Sequence, residues 1–545
     1  AITDAGNDSA LTIDANTGEV DLANVAIANA LDVTATSILL SGSSYTTRDG
    51  NITLTGGIDL AGAGTVTIDS DSNADGTDGA ITLAGAVTDG GTASGLTVDA
   101  DGGAVDLDDV TVGNAIAVTG GNIDLNGTAY TSTTGSVAFT GAVDVDSAST
   151  ATITGGALAG DNISFSSNLN LNHHLDLVAG AANVTFNGPV AIGTRDLTVV
   201  SSAITDINGG IGGSTGSLDV TAGTRTDVDS AIALTGAGAV TLDKATISGV
   251  NVTTDGGTIT FNGATVLDTG AVAVSTGAAS AGDIDFNSTL NGTQNLTLTA
   301  GTGSVFFDGV VGATNALGTV TLNAADDVTL SQNFTAAKLL QTTAGTGTFA
   351  LAASRTLTAT GDGASVVQLD SGTITLGDNS VIDTNDAADG DIALFTDTLN
   401  VGAGSSIDAG TANVTLAPGT LNKTIEIRDG GAAGAFDVSY DIGSFAGITA
   451  GSFSIGRATH TGNITLQAVT PTFDFAAVNG GTGSISIAGA SAGATDLSLT
   501  SGSGGISDGT AGAGGNNLDF DSLSLSSTGA IDVNTTVTTI AASGT

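Results

Sequence analysis

The sequence predicts an all-β protein, a right-handed parallel β-helix in which one coil takes roughly 22 residues. Three observations lead to this fold class. A two-strand phrase recurs along the chain, its copies are evenly spaced, and the composition favours short strands and tight turns, with 82 Gly, 3 Pro and 3% aromatic residues. A repeat of this length cannot bury its apolar face alone, so each copy must stack on its neighbours.

The recurring phrase begins with Val/Ile-x-Phe/Leu and continues about a dozen residues later with a Leu-Thr-Val-like segment. Apolar residues alternate with Thr, Ser, Asp or Asn in both parts, which predicts strands with one buried and one wet face. First segments end at Phe139, Phe165, Phe186, Phe261, Phe286 and Phe307, and second segments begin at Leu175, Leu197, Leu218, Val272 and Leu296.

Short alternating strands also fit a string of antiparallel sandwiches. Such modules need a period near 100 residues and bulky core aromatics, whereas the observed period is near 22. The solenoid is therefore favoured, with Phe165 lying over Phe186 in a column of like residues. At a strand spacing of about 4.8 Å, roughly 25 coils would form a rod on the order of 120 Å long.

Charge is strongly unbalanced, with 9 basic and 55 acidic residues and a formal net charge of −46. Nucleic acid and anionic lipid are disfavoured partners, because both require clustered Lys and Arg. Nearly every acid is Asp, which is typical of tight turns because its short side chain caps local backbone. The alternative interpretation is that some of these carboxylates bind divalent cations.

The sequence contains no disulfide-forming residue, no membrane-spanning run and no signal-like segment. The chain has no Cys, so packing and ladder hydrogen bonds must stabilise it. No run of 18 apolar residues exists to cross a membrane as a helix. The chain begins at Ala1 in mid-pattern without a signal-like segment, and we expect a mature product or a fragment of a longer secreted chain.

Three regions are expected along the chain. Residues 1–411 form a β-helix repeat rod, 412–471 a variant module with two of the three prolines, and 472–545 a further repeat rod that continues or joins a neighbour at its end. Segment 335–340 is the one candidate for a helical turn. Longer gaps between phrases predict loops, which are 69–79, 207–216 and 383–391.

Several phrases resemble the giant β-strand-repeat surface proteins of Gram-negative bacteria that are related to filamentous haemagglutinin. They are Leu296-Thr-Leu-Thr-Ala-Gly-Thr-Gly-Ser-Val-Phe-Phe-Asp-Gly309, Val414-Thr-Leu-Ala-Pro418 with Ile448-Thr-Ala-Gly451, and Gly505-Ile-Ser-Asp-Gly509. The resemblance covers nearly the whole chain as a style of repeat. It implies secretion to the surface of a Gram-negative bacterium, a right-handed parallel β-helix, and a role in adhesion, biofilm or surface structure.

One acidic segment predicts a calcium site. Asp69, Asp71, Asn73, Asp75 and Asp78 place oxygen side chains at alternating positions, as loops that bind hard cations do. The segment departs from the EF-hand pattern at its turn glycine and at its bidentate Glu. A solvated acidic loop is the alternative interpretation.

No catalytic or cofactor-binding residue is predicted. Parallel β-helices also include polysaccharide lyases and hydrolases, which need converging acids. Here the adjacent pairs Asp108-Asp109, Asp326-Asp327 and His173-His174 would point to opposite faces of a strand. Nucleophile elbows, phosphate loops and Cys/His metal spacings do not occur.

The function expected from these features is a non-enzymatic extracellular rod, a shaft segment of a large bacterial surface protein that mediates adhesion or cell contact. Its expected partners are neighbouring surface proteins, further copies of itself, or host and cell-surface glycans. A homopolymeric surface filament, sheath or surface layer is the second hypothesis, and a polysaccharide-degrading enzyme is the third.

Overall fold

A computed structural model describes residues 1–4, 8–62, 64–73, 78–343, 345–384, 389–445, 447–508, 517–537 and 539–544. These residues form short parallel strands stacked as a β-solenoid of about 23 turns, with equivalent positions roughly 22 residues apart. The predicted fold class is confirmed. The described residues contain one 3-10 helix, Ile442–Phe445, and none of their helices has the length and apolarity to cross a membrane.

The chain divides into two compact units, Ala1–Gly277 and Ala278–Thr545. The strands of the first unit are β1 (Ile2–Thr3), β2 (Leu11–Asp14), β3 (Glu19–Leu22), β4 (Val25–Ile27), β5 (Leu31–Leu40), β6 (Ser44–Thr47), β7 (Ile52–Leu60), β8 (Thr65–Asp69), β9 (Ile81–Ala84), β10 (Val87–Thr88), β11 (Gly95–Asp99), β12 (Ala104–Leu107), β13 (Val110–Val112), β14 (Ile116–Leu125), β15 (Ala129–Ser132), β16 (Val137–Val145), β17 (Ala151–Thr154), β18 (Ile163–Phe165), β19 (Leu169–Leu171), β20 (Leu175–Val178), β21 (Val184–Phe186), β22 (Val190–Gly193), β23 (Leu197–Ser201), β24 (Ile204–Ile207), β25 (Ile211–Gly213), β26 (Leu218–Ala222), β27 (Arg225–Val228), β28 (Ile232–Leu234), β29 (Val240–Leu242), β30 (Ala245–Ser248), β31 (Val252–Thr253), β32 (Ile259–Phe261), β33 (Thr265–Thr269) and β34 (Val272–Ser275).

The strands of the second unit are β35 (Ile284–Phe286), β36 (Leu290–Gly292), β37 (Leu296–Thr299), β38 (Val305–Phe307), β39 (Leu317–Ala324), β40 (Val328–Leu330), β41 (Phe334–Gln341), β42 (Gly345–Leu351), β43 (Thr356–Ala359), β44 (Gly363–Leu376), β45 (Val381–Asp383), β46 (Gly390–Phe395), β47 (Thr398–Val401), β48 (Ser406–Asp408), β49 (Asn413–Ala417), β50 (Ile425–Arg428), β51 (Val438–Asp441), β52 (Ile448–Thr449), β53 (Ser452–Arg457), β54 (Ile464–Leu466), β55 (Phe475–Asn479), β56 (Ile485–Ile487), β57 (Ser491–Ser501), β58 (Ile506–Ser507), β59 (Asn517–Ser527), β60 (Ile531–Asp532), β61 (Asn534–Thr535) and β62 (Thr539–Gly544).

Each coil pairs with the next in parallel and in register. Ile163 and Phe165 of β18 lie beside Val184 and Phe186 of β21, one coil later. Both strands alternate a buried, a half-buried and a buried residue, so the same face of each coil meets the core. A shift by one residue would turn that apolar face to solvent, and the alternation therefore fixes the register.

Like residues form columns in the core. The rings of Phe139 and Phe165 stack with centroids 5.4 Å apart, and those of Phe165 and Phe186 with centroids 5.6 Å apart. In the second unit Phe286 and Phe307 stack in the same way at 5.3 Å. The predicted placement of Phe165 over Phe186 is confirmed. Stacked pairs of this kind add about 0.5–1.5 kcal/mol beyond the area that they bury.

Many turn Asp and Asn residues cap the following coil. The side-chain oxygen of such a residue accepts a hydrogen bond from a backbone N–H at the equivalent turn of the next coil, which ties successive turns together. Acceptor and donor pairs of this type are Asn24 and Ser43, Asn51 and Ala80, Asp109 and Thr128, Asn162 and Asn183, Asp196 and Ser217, Asp283 and Ser304, Asp327 and Thr348, Asp378 and Ala403, Asp391 and Asn413, and Asn463 and Ser484.

The first unit contains a structural duplication. Strands β2 to β8 recur in the same order as β11 to β17, with nearly identical lengths and spacings. The hydroxyl of Tyr45 in β6 donates to the Leu22 carbonyl, and the hydroxyl of Tyr130 in β15 donates to the Leu107 carbonyl. The two copies therefore show which side chains the coil requires and which can vary.

Two local expectations were wrong. Segment 335–340 is not a helical turn but part of β41, which pairs with β39 on one side and with β43 and β44 on the other. Backbone pairing on both sides overrides its helix-forming residues. Segment 207–216 was expected to be a loop outside the rod, but it contains β25, which pairs with β22 and β28. The centres of the other two expected loops, 74–77 and 385–388, lie outside the described residues.

An insertion interrupts the stack of the second unit inside the predicted 412–471 module. Asn413 pairs with Ser452, a step almost as long as two ordinary coils. The intervening chain forms β50 and β51, which pair with each other, and β50 continues into a separate six-stranded ladder with β54, β56, β58 and β60. The boundaries expected at 411 and 471 stay a prediction, as does the handedness of the coil.

Replacing Phe165 by Ala should destabilise the first unit by about 3–5 kcal/mol, because a fully buried ring between two stacked rings is lost and a cavity remains. Urea unfolding followed by hydrogen exchange measures the effect and its location. Val200, which is 42% exposed, is the matched control, and Val200→Ala should change stability by less than about 0.5 kcal/mol. Equal effects of the two substitutions would contradict the core assignment.

Replacing Asp109 by Ala should cost about 1 kcal/mol, because its Oδ1 accepts hydrogen bonds from the N–H groups of Thr128 at 2.6 Å and Ala129 at 3.0 Å. Hydrogen exchange at these two amides should accelerate. Asp109→Asn should be close to neutral, since Asn24 caps the equivalent turn in the other copy. A large loss of stability in the Asp109→Asn variant would show that this turn requires the negative charge and not only an acceptor oxygen.

Candidate functional site: an acidic cluster on two coils

The predicted calcium segment begins at the end of β8. Asp69 is the last residue of that strand, and it lies in register beside Asp99 of β11 in the next coil. Asp71, Asn73 and Asp78 are also described, whereas Asp75 lies outside the described residues. The stacking therefore adds a second acidic turn that the linear pattern did not contain.

The two turns share one local hydrogen bond. The N–H of Asp71 donates to Asp69 Oδ1 at 3.0 Å, and the N–H of Asp101 donates to Asp99 Oδ1 at 3.2 Å. Such turns form because an Asp oxygen reaches the backbone two residues on. Asp101 has φ of 47° in the left-handed region, which Asp tolerates better than most residues. Four carboxylates therefore lie at or just after the paired ends of β8 and β11.

Asp78 adds a fifth carboxylate. A Cβ built on Gly102 would lie 2.3 Å from Asp78 Oδ2, so the carboxylate rests directly against the glycine that follows Asp101. Any side chain at this position would displace it. The name two-coil acid cluster is used below for Asp69, Asp71, Asp78, Asp99 and Asp101.

Asp71 is the most enclosed member of the cluster. Only 5% of its surface is exposed, and its Oδ1 is shielded from solvent and has no hydrogen-bond partner. Burying a carboxylate oxygen without a donor is costly, so this atom lacks the stabilising contact that many turn acids have.

Burial and mutual repulsion raise the pKa values of two acids of the cluster. Burial raises the pKa of Asp69, as do the charges of Asp99, Asp101 and Asp71, although the Asp71 N–H partly offsets this. The pKa of exposed Asp101 is raised mainly by the charge of Asp99 and further by Asp71 and Asp78. Among the described residues, no group of three His, Asp or Glu side chains is placed to hold a metal ion.

A second row of carboxylates follows the stacking elsewhere in the first unit. Asp106, Asp124 and Asp144 occupy equivalent positions in three successive coils. Asn122 donates to Asp124 at 2.6 Å, and Asn170 donates to Asp144 at 2.7 Å. Burial raises the pKa of Asp124, and the neighbouring Asp106 carboxylate raises it further.

The adjacent pairs Asp326-Asp327 and His173-His174 do not form sites in which acidic and basic side chains converge. Asp326 accepts from the Thr346 hydroxyl and Asp327 from the Thr348 N–H, so both hold the next coil. His173 and His174 lie in the bend between β19 and β20, where His174 Nδ1 accepts from the Asp196 N–H at 2.9 Å. Asp326, Asp327 and His174 therefore have structural partners in the next coil.

The insertion of the second unit contains a polar network that sequence reasoning missed. Glu426 is 3% exposed and accepts from Gly434 N–H, Ser439 hydroxyl and Gln467 Nε2 at 2.7–3.0 Å. Burial alone would raise its pKa, but these donors and the Arg428 charge hold the pKa below its ordinary range. Its partners come from separate segments, and the rarity of Glu in this chain was the one available signal.

A cleft lies beside this network. It has a volume of about 160 Å³ and contains the ion pair between Arg428 Nη1 and Asp441 Oδ2, 2.7 Å apart. The other lining residues are Leu399, Val401, Ser439, Tyr440, Ser444 and Phe445. Arg457 anchors the start of the insertion, because it donates to the carbonyls of Pro418 and Gly419 and lies 4.4 Å over the Phe395 ring.

Comparisons of the chain with protein-family models, with curated proteins and with solved structures found no match. The resemblance to surface proteins related to filamentous haemagglutinin therefore stays a prediction that depends on the repeat phrases.

Replacing Asp124 by Asn should stabilise the first unit at pH 7. A raised native pKa means that the native state binds protons more readily than the unfolded state, so stability falls as pH rises through the ordinary Asp range. The amide of Asn does not ionise, so the variant avoids this loss of stability. Its stability advantage over the wild type should disappear below about pH 4, where the Asp carboxyl is protonated. Urea unfolding at both pH values tests this.

Asp176→Asn is the control, because the register neighbours of Asp176 are Thr152 and Thr198 in place of carboxylates. Asp176→Asn should change the free energy of unfolding at pH 7 much less than Asp124→Asn does. A stabilisation by Asp124→Asn that is equally large at both pH values would contradict the electrostatic explanation.

Proposed function

We propose that the chain is a non-enzymatic extracellular shaft segment of a bacterial surface protein, and that it contacts cell-surface glycans through the insertion of its second unit. The observation that carries the proposal is the break in the repeat at Asn413 and Ser452, which lie side by side although almost two coils of chain separate them. A regular stack supplies stiffness, and an irregular segment within it is where recognition is expected.

The cleft beside the insertion has the chemistry that sugars require. Arg428, Asp441 and the hydroxyls of Ser439 and Ser444 offer donors and acceptors for sugar hydroxyl groups. The net charge of −46 disfavours nucleic acid and anionic lipid as alternative ligands. A neutral or amino-bearing glycan fits this acidic surface better than a sulfated one.

The test is binding of the full chain to a glycan array and to bacterial or host cells, with Ser444→Trp as the disabling variant. Ser444 is exposed on the 3-10 helix and lines the cleft, so an indole there should fill it and lower binding at least about tenfold. Thr194→Trp, at an exposed position in the first unit, is the control and should bind as the wild type.

Other outcomes separate the alternatives. Fibres formed by the purified chain at neutral pH would favour a homopolymeric filament or sheath, and release of reducing ends from a polysaccharide would favour an enzyme. Absence of binding to every glycan and cell type, or unchanged binding by Ser444→Trp, would refute the proposed contact.

A further inference from the structure

One corner of the second unit holds the entrance of the insertion. The chain enters the insertion through residues 418–424, which are called the entry segment below. The N–H groups of Thr461 and Gly462 both donate to the Leu421 carbonyl, at 2.8 and 3.2 Å. The Thr461 hydroxyl donates to the same carbonyl at 3.1 Å. Hydrogen bonds to the turn before β54 therefore hold the middle of the entry segment.

His460 immediately precedes these two residues and is fully buried, with 0% of its surface exposed. Its N–H donates to the Arg457 carbonyl at 3.0 Å, and its carbonyl accepts from the Gly481 N–H at 2.9 Å. The backbone of His460 is thus fixed by its own turn and by the next coil. Its side chain has no such support, because Nδ1 and Nε2 are both shielded from solvent and neither has a hydrogen-bond partner. Buried polar groups are normally paired, so this imidazole requires an explanation.

The charged groups of this corner disfavour a further positive charge. Arg457 opens the turn that contains His460, and its Nε is itself buried without a partner. The charged residue of the entry segment is Lys423, whose Nζ lies 3.7 Å from Asp397 Oδ2. The charge of Asp370 acts on Arg457, where it partly offsets the effect of burial on the Arg457 pKa. Burial and the charge of Arg457 lower the pKa of His460, and the Lys423 carbonyl offsets this only in part.

We propose that His460 makes the entrance of the insertion sensitive to pH, so that the entry segment is held at neutral pH and released when the imidazole gains a proton in mild acid. A protonated imidazole is a donor at both nitrogens, and neither nitrogen has an acceptor in the closed corner. Opening brings water to the ring and removes the cost of a buried charge. β53 stays paired with β49 and β55, so the opening is confined to the corner. The proposal holds whether or not the cleft contacts a glycan.

The direction of the pH effect follows from comparing the two forms of the corner. In the open form the ring is solvated and takes up a proton at its ordinary pKa of about 6.5. In the closed form the pKa of His460 is lower, so the stability of the closed form is fully present above the ordinary value and is lost as pH falls through the lowered pKa. Linkage to one proton should raise the opening equilibrium constant about fivefold to 25-fold between pH 7 and pH 5.

The experiment is hydrogen exchange of the full chain at pH 7 and pH 5, corrected for the intrinsic pH dependence of amide exchange. The amides of Thr461 and Gly462 report the opening, because both are bonded to the Leu421 carbonyl. Their corrected exchange should accelerate by the factor given above at pH 5. The amides of β26 in the first unit are the internal reference and should not share this change. Equal protection of Thr461 and Gly462 at both pH values would overturn the proposal.

Two variants assign the effect to His460. His460→Leu and His460→Gln do not ionise between pH 5 and pH 7, so the pH response of the two amides should vanish in both. Leu removes the unpaired nitrogens, whereas Gln keeps a polar side chain. His173→Gln, at a half-buried position in the first unit, is the matched control and should keep the full response. A response that persists in the His460 variants would refute the assignment.

A measurement on the wild-type chain keeps the proposal testable even if both His460 variants fail to fold. The chain contains three His, so nuclear magnetic resonance of a histidine-labelled sample resolves each ring during a pH titration. His173→Gln and His174→Gln assign the other two rings. The His460 ring should titrate below the ordinary value of about 6.5. Titration of that ring at or above the ordinary value would contradict the proposal.

Discussion

In-register parallel pairing of successive coils is the constraint on which the structure depends. Because each residue lies beside its equivalent in the next coil, an apolar position becomes an apolar column, as Phe139, Phe165 and Phe186 show. The same rule turns a short Asp or Asn side chain into a cap for the following turn, as with Asp109 and Thr128. One pairing rule therefore builds both the core and the hydrogen bonds at the corners.

The same constraint places like charges beside each other. Asp106, Asp124 and Asp144 form a row, and Asp69 pairs with Asp99, although adjacent carboxylates repel. The fold offsets much of this repulsion with backbone N–H groups and with neighbouring Asn side chains. Asp71 is an exception, because its Oδ1 is buried and has no hydrogen-bond partner.

The sequence predicts the fold because its evidence is local. Alternation along each strand and a spacing near 22 are both visible without knowing the contacts. The grouping of these acids was only partly predictable, since Asp69 pairs with Asp99 across a coil that is longer than the average spacing. Segment 335–340 shows the opposite failure, in which a local preference yields to strand pairing on both sides. Glu426 gathers donors from three segments, which no spacing rule reports.

The duplication distinguishes the acids that the fold needs from those that it tolerates. Asn24 and Asp109 cap equivalent turns, so that position requires an acceptor oxygen and not a negative charge. Asn16 and Asp101 likewise adopt the same left-handed conformation, and the charge of Asp101 is therefore additional to what its turn requires.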